Sequence, residues 1–185
     1  SALRNILRQD PNVIFIGEIR DNETAIMACN MAMTGHLVLS SMHTNTIEGV
    51  IFRLLDMGVE AKSLVDSLLC IMNQRLVREV CPHCRKVTYI DEENALKYGL
   101  NKGEVVYESS GCSECNYTGY IGRILIHDIY FINKKVKEEF MKEGDIGILT
   151  TDINSLKSQK FLCSAKKLLK EGKTTVEELN RLDLE

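Results

Sequence analysis

Proline is scarce in this 185-residue chain: only Pro11 and Pro82 occur, so no proline-rich linker separates its parts. No apolar run approaches the ~20 residues that a bilayer-spanning helix needs. The N-terminus lacks a charged region followed by a hydrophobic stretch, so no signal peptide is visible. A basic excess is missing too. Lys and Arg number 23 against 26 Asp and Glu, a net charge of −3, which excludes a globally basic nucleic-acid binder. The 7 cysteines are too few for a disulfide scaffold. The chain also lacks an initiator methionine and is expected to begin inside a longer protein. What is present is ordinary globular material, 44% apolar and 26% charged, which rules out collagen-like and wholly disordered chains.

Three regions separate by pattern. Over residues 1–80, strand-like and helical stretches alternate as in an α/β layer. Val13-Ile14-Phe15-Ile16 and Leu37-Val38-Leu39 are short apolar runs that read as strands buried on both faces. Asp21 caps a helix running toward Met33, with Gly35 as its stop. Thr44 to Thr46 offer caps for a further helix, whose Ile47, Val50, Ile51, Leu54 and Leu55 form one apolar stripe up to Gly58. Another helix is expected over 61–72, and 75–80 fits strand or helix equally. Residues 81–122 are polar, turn-rich and without a long apolar face. A module of about 40 residues like this usually needs a metal or cross-links. Residues 123–185 return to core-like patterning, with strands at 124–126 and 129–131 interrupted by His127 and Asp128, then helices near 134–143 and 152–171. Thr174-Thr175-Val176-Glu177-Glu178 is a capping-box start for a last short helix.

Cys81-Pro82-His83-Cys84 and Cys112-Ser113-Glu114-Cys115 are the strongest chemical signal. A tight turn between two cysteines sets both sulfurs on one side of a loop, and two such knuckles make a tetrahedral set of four sulfurs. Thiolates suit Zn²⁺, whose bonds would replace the core this segment lacks. A redox C-x-x-C and an iron–sulfur centre are the alternatives. Four cysteines complete the shell, which leaves His83 as a loop residue. Cysteines paired for metal point to a reducing compartment, the cytoplasm. Cys29, Cys70 and Cys163 are read as buried inert thiols on helices. From Cys81 to Arg123 acidic residues outnumber basic ones by a single charge, leaving no phosphate-binding stripe, so no nucleic-acid partner is expected.

Gly17-Glu18-Ile19-Arg20-Asp21 follows the first strand. An apolar strand ending in an acidic residue is the Walker B arrangement, its carboxylate at the edge where Mg²⁺ and phosphates bind in α/β sheets. Acidic residues end many other strands as well. Ser40-Ser41-Met42-His43-Thr44-Asn45 ends the second strand and sets two hydroxyls and an imidazole near a helix start, able to sense a phosphate. Capping by Ser41 and Thr44 beside a solvated His43 accounts for the same residues. His36 carries the same two readings.

Together these segments resemble the secretion ATPases of type II secretion and type IV pilus assembly. The match runs through Leu7-Arg8-Gln9-Asp10-Pro11-Asn12, Gly17-Glu18-Ile19-Arg20-Asp21-Asn22-Glu23-Thr24-Ala25 and Thr34-Gly35-His36-Leu37-Val38-Leu39-Ser40-Ser41-Met42-His43-Thr44-Asn45. It continues in Gln74-Arg75-Leu76-Val77-Arg78, Thr118-Gly119-Tyr120-Ile121-Gly122-Arg123 and Gly172-Lys173-Thr174-Thr175, nearly the whole chain. The resemblance implies an α/β fold: an incomplete RecA-like (P-loop NTPase) domain, its C-terminal half over 1–80. It adds an inserted four-cysteine zinc-binding module over 81–122 and a returning strand with a C-terminal helical segment over 123–185.

The same resemblance implies catalytic roles for Glu18, as a Walker B glutamate that holds Mg²⁺ and orders the attacking water, and for His43. It implies nucleotide contacts through His36, Ser41 and Arg20, and structural Zn²⁺ on Cys81, Cys84, Cys112 and Cys115. ATP as substrate, a homohexamer, and platform proteins at the inner face of the cytoplasmic membrane are implied too, with the chain itself peripheral. Asn12 and Met42 stand where the family usually has Asp and Leu, and His127-Asp128 differs from the usual Tyr-Glu-type ending. No G-x-x-x-x-G-K-[ST] occurs. The loop that cradles ATP phosphates is therefore expected upstream, and this chain alone is expected not to hydrolyse ATP. The competing reading is a zinc-stabilised protein-interaction module of a degenerate ATPase without a nucleotide role.

Overall fold

Alternation governs the first two strands. β1 (Val13–Ile16) and β2 (Leu37–Ser40) pair in parallel, Val13 opposite Leu37 and Ile16 opposite Ser40. The computed structural model describes residues 9–182, the side chains of 154–160 excepted, so Leu7 and Arg8 of the family-like run lie outside the described residues. On β1, Ile14 and Ile16 are buried while Val13 and Phe15 are 54% and 74% exposed. Leu37 and Leu39 on β2 are exposed as well. The expectation of strands buried on both faces is corrected. Successive side chains point to opposite faces, and among the described residues the face carrying Val13 and Phe15 is left uncovered.

Helices supply the core on the other face. In α1 (Asn22–Met33) Asp21 caps the start, its Oδ1 accepting from the Thr24 N–H at 2.8 Å. In α2 (Ile47–Asp56) Thr46 caps through its Oγ1, which accepts from the Gly49 N–H at 3.1 Å. The stripe read from the sequence is buried at Ile47, Ile51 and Leu54. α3 (Ala61–Ser67) stops short of the expected end at residue 72, because Leu68 turns extended and β3 (Cys70–Val80) begins. From there Ile71 is buried and Met72 exposed, the period of a strand, and 75–80 is strand throughout. β6 (Tyr120–Phe131) pairs with β3 and runs unbroken through an exposed His127 and a buried Asp128, so those two residues do not interrupt it.

Contacts divide the chain into two units, each discontinuous in sequence. One joins the residues up to Asn73 with Ile129–Asn154; the other joins Gln74–Asp128 with the residues from Ser155 onward. In the first, α5 (Lys134–Glu143) and the start of α6 (Gly147–Lys170) bring Val136, Phe140, Leu149 and Ile153 into one core with Ile14, Ile51 and Leu64. In the second, β4 (Lys86–Tyr89) lies antiparallel to β5 (Val105–Glu108), with α4 (Glu92–Tyr98) between them in sequence. Ile90, Tyr98 and Val106 are buried there with Leu169 of α6 and Leu179 of α7 (Val176–Arg181). Residues 81–122 therefore do carry an apolar face. Its partners lie far downstream, which hid it from any local window of sequence.

Two single cysteines also differ from expectation. Cys29 is buried, but Cys70 sits on β3 and is exposed, and Cys163 is exposed on α6. Among the described residues, no helix is long and apolar enough to cross a membrane.

Candidate functional site

The C-terminal ends of β1 and β2 meet at a set of polar groups. Ser41 Oγ donates to the Gly17 carbonyl at 2.6 Å, and the Ile19 N–H donates to the Ser41 carbonyl at 3.0 Å. These two bonds bracket Glu18 from both sides and continue the parallel pairing beyond the strands. His43 Nε2 donates to Glu18 Oε2 at 3.0 Å, while the Arg20 guanidinium contacts Oε1. The Arg20 guanidinium beside Glu18 holds its carboxyl below the usual carboxylate range, and His43 adds to this. Glu18 is thus a partly exposed, ionised carboxylate at the strand edge where α/β sheets place their ligands.

Not every expected residue gathers here. Glu18, Arg20, Ser41 and His43 come together, with Ser41 turned to the Gly17 backbone. His36 does not join them. It precedes β2 at the opposite end, more than about 13 Å away along the strand at 3.3 Å per residue. There its Nδ1 contacts the Met31 carbonyl at 3.0 Å and Thr34 Oγ1 at 3.2 Å, closing the end of α1.

The four knuckle cysteines converge from two loops. Cys81 and Cys112 sulfurs lie 3.9 Å apart, and the Cys84–Cys115 and Cys112–Cys115 pairs are each 3.8 Å apart. All four sulfurs fall within 4.8 Å of one another. A tetrahedral Zn²⁺ with Zn–S bonds of about 2.3 Å requires sulfurs about 3.8 Å apart, and these three pairs match that spacing. None of the cysteines is in a disulfide.

The backbone prepares these sulfurs for negative charge. The Gly111 N–H donates to Cys84 Sγ, and the Cys112 and Gly119 N–H groups donate to Cys115 Sγ, each at 3.2 Å. Burial pushes the Cys115 thiol up, yet the Cys112 and Gly119 N–H groups, with the Cys112 and Cys84 thiols, outweigh it and bring it down to about 6. Gly111 has φ +92°, and a Cβ there would lie 2.8 Å from the Tyr117 carbonyl oxygen. Only glycine lets the chain approach so closely.

A protein-family model described as "Type II/IV secretion system protein" matches residues 1–181. The chain belongs to this family. The type II secretion system protein E of Dickeya dadantii is 48% identical over 148 residues, 80% of this chain and 30% of that protein. The type IV pilus assembly ATPase PilB of Thermus thermophilus is 38% identical over 186 residues, 96% of this chain and 20% of the relative. The chain thus spans about a third, or less, of the curated relatives it matches. The X-ray structure of the Legionella pneumophila ATPase DotB superposes with a TM-score of 0.65 at 20% identity, covering 97% of this chain and 40% of that one. That likeness shows a shared fold.

One feature of this secretion-family chain escaped the reading of its sequence. Glu178 on α7 has a fully buried side chain and receives the Arg78 N–H at 3.0 Å, Arg78 Nε at 2.7 Å and Arg181 Nε at 2.9 Å. Its own N–H donates to the capping Thr175 Oγ1 at 3.1 Å. The capping-box pattern flagged Glu178 as a helix-start residue. Its ionic partner Arg78 lies on β3, and no local pattern points there.

Proposed function

We propose that this chain is the part of a secretion or pilus-assembly ATPase that carries the Walker B glutamate and a structural zinc centre. On this reading it is the C-terminal half of a RecA-like domain, with the zinc module and C-terminal helices attached. The observation that carries it is Glu18, ionised and pinned at the C-terminal edge of two parallel strands with His43 at 3.0 Å. Glu18 would hold a Mg²⁺-bound ATP and orient the attacking water, accepting its proton; Mg²⁺ supplies neutralisation of phosphate charge. His43 would steady the carboxylate and report on the phosphates. Arg20, within reach of the same edge, would exchange its contact with Glu18 for phosphate oxygens. Ser41 would set the Glu18 backbone. His36 is proposed as a nucleotide contact from the opposite end of β2. Cys81, Cys84, Cys112 and Cys115 would hold Zn²⁺.

Family membership supports the wider setting. The longer protein would work as a homohexamer at the inner face of the cytoplasmic membrane, moving platform proteins that assemble pilin-like subunits. The phosphate-cradling loop would come from upstream sequence, so the 185-residue chain by itself is expected to release no phosphate from ATP. Phosphate-release assays test this on the chain and on the full-length protein. In the latter, Glu18→Gln should cut turnover by roughly a hundredfold or more while nucleotide binding persists. Turnover by the chain alone, above its own Glu18→Gln variant, would reject the division of labour. Unchanged turnover in the full-length variant would reject the Walker B role.

A further inference from the structure

The first knuckle is tied on both flanks to one distant turn. Immediately before Cys81, the Val80 N–H donates to the Lys173 carbonyl at 2.9 Å. Immediately after Cys84, Arg85 Nη1 donates to the Gly172 carbonyl at 2.6 Å, with its guanidinium stacked 4.4 Å over the Tyr107 ring. Two successive carbonyls between α6 and α7 are therefore gripped by the two residues that bracket the C-x-x-C. The turn is shaped for this grip. Gly172 has φ +61°, and a Cβ on it would sit 2.5 Å from Tyr107 Cε2 and 2.7 Å from Arg85 Nη1. The stack seats directly on a glycine that no other residue can replace without moving it.

Beyond the turn the grip is passed on to α7. Thr174 Oγ1 donates to the Arg78 carbonyl at 2.9 Å, and Thr175 caps α7 while hydrogen-bonded to the Tyr120 hydroxyl at 2.9 Å. The knuckle's own shape depends on four sulfurs being drawn to one point. A cation bound to all four sulfurs, which lie within 4.8 Å of one another, would hold both knuckles at one point. A cation at the sulfurs would thus fix the spacing between Val80 and Arg85, the two residues that hold the Lys173 and Gly172 carbonyls.

We propose that the four-cysteine centre is a latch on the last helix, with Arg85 and Gly172 transmitting metal occupancy to α7. The latch rests on the metal reading of the four cysteines, and it adds to that reading a defined mechanical output. Linkage makes the effect reciprocal: if bound metal tightens the turn, the turn strengthens metal binding by the same free energy. Arg85 and Gly172 are positioning residues here; neither contacts the metal.

Hydrogen exchange on the 185-residue chain, zinc-loaded and after chelation, reads the latch directly. Chelation is expected to raise amide exchange in 174–182 about fivefold or more, while α1 keeps its protection. Arg85→Ala is expected to bind zinc at the same stoichiometry, yet to exchange fast at α7 even when loaded and to hold zinc about fivefold more weakly in equilibrium competition with a chelator. Arg85→Lys, which keeps the charge but not the stacked fork, should fall between. Bound zinc with unchanged exchange in α7 after chelation overturns the latch alone. A chain that binds no metal overturns both the latch and the metal reading. Zinc affinity unaffected by Arg85→Ala overturns the role given to that residue.

Discussion

Glu178 keeps its charge although its side chain is fully buried. Burial pushes its carboxyl up, and the guanidiniums of Arg181 and Arg78 more than offset this, bringing it from 4.5 down to about 2. A carboxyl whose folded value lies below its unfolded one stabilises the fold fully above the unfolded value. That contribution, roughly 3 kcal/mol, is lost as pH falls from about 4.5 toward 2. Urea unfolding at pH 6 and at pH 3 should show a larger loss for the natural chain than for Glu178→Gln. The variant comparison removes the effect of thiol protonation, which is common to both. Equal losses would mean that the Arg78–Glu178–Arg181 cluster carries no linkage. At pH 6 the variant itself should be destabilised by about 3 kcal/mol, since it strands two guanidiniums beside a neutral amide.

At the scale of elements, the alternation on β1 makes a matched pair of substitutions informative. Ile14 faces the core and Phe15 does not. Ile14→Ala is expected to cost about 2–5 kcal/mol in this chain, and Phe15→Ala only about 0.5 kcal/mol or less. Chemical denaturation of both variants checks this, and comparable losses would show that the outer face is covered after all. The same strand shows where the sequence stops being legible. Val13-Ile14-Phe15-Ile16 reads as strand from its residues alone, but whether its second face is covered depends on what lies against it. Asp21 and Thr46 were readable as helix caps because a cap bonds only to the next turn. The end of α3 was not, since Leu68 to Met72 is apolar enough to continue either way and the pairing of β3 with β6 decides it. The candidate sites divide likewise. The cysteines announce themselves by spacing, and Glu18 by following a strand. Ser41 binding the Gly17 carbonyl, and Arg85 reaching Gly172, follow only from the chain folding back on itself.

For the molecule as a whole, the sulfur geometry predicts stoichiometry. Elemental analysis of the purified chain is expected to find one zinc per molecule, and chelation to lower its thermal unfolding midpoint. Iron in place of zinc, or metal-free protein melting at the same temperature, would refute the structural zinc assignment. The discontinuity of the two units bears on a different matter, the order in which a ribosome delivers them. Residues up to Asn73 emerge before the rest of this chain, but their unit waits for Ile129–Asn154, which brings Phe140, Leu149 and Ile153 to its core. The other unit waits longer still, for Leu169 and Leu179. Long loops must close before either core is rewarded. A nascent chain halted near Asp128 holds both units open, and so depends on being shielded until its last helix is made.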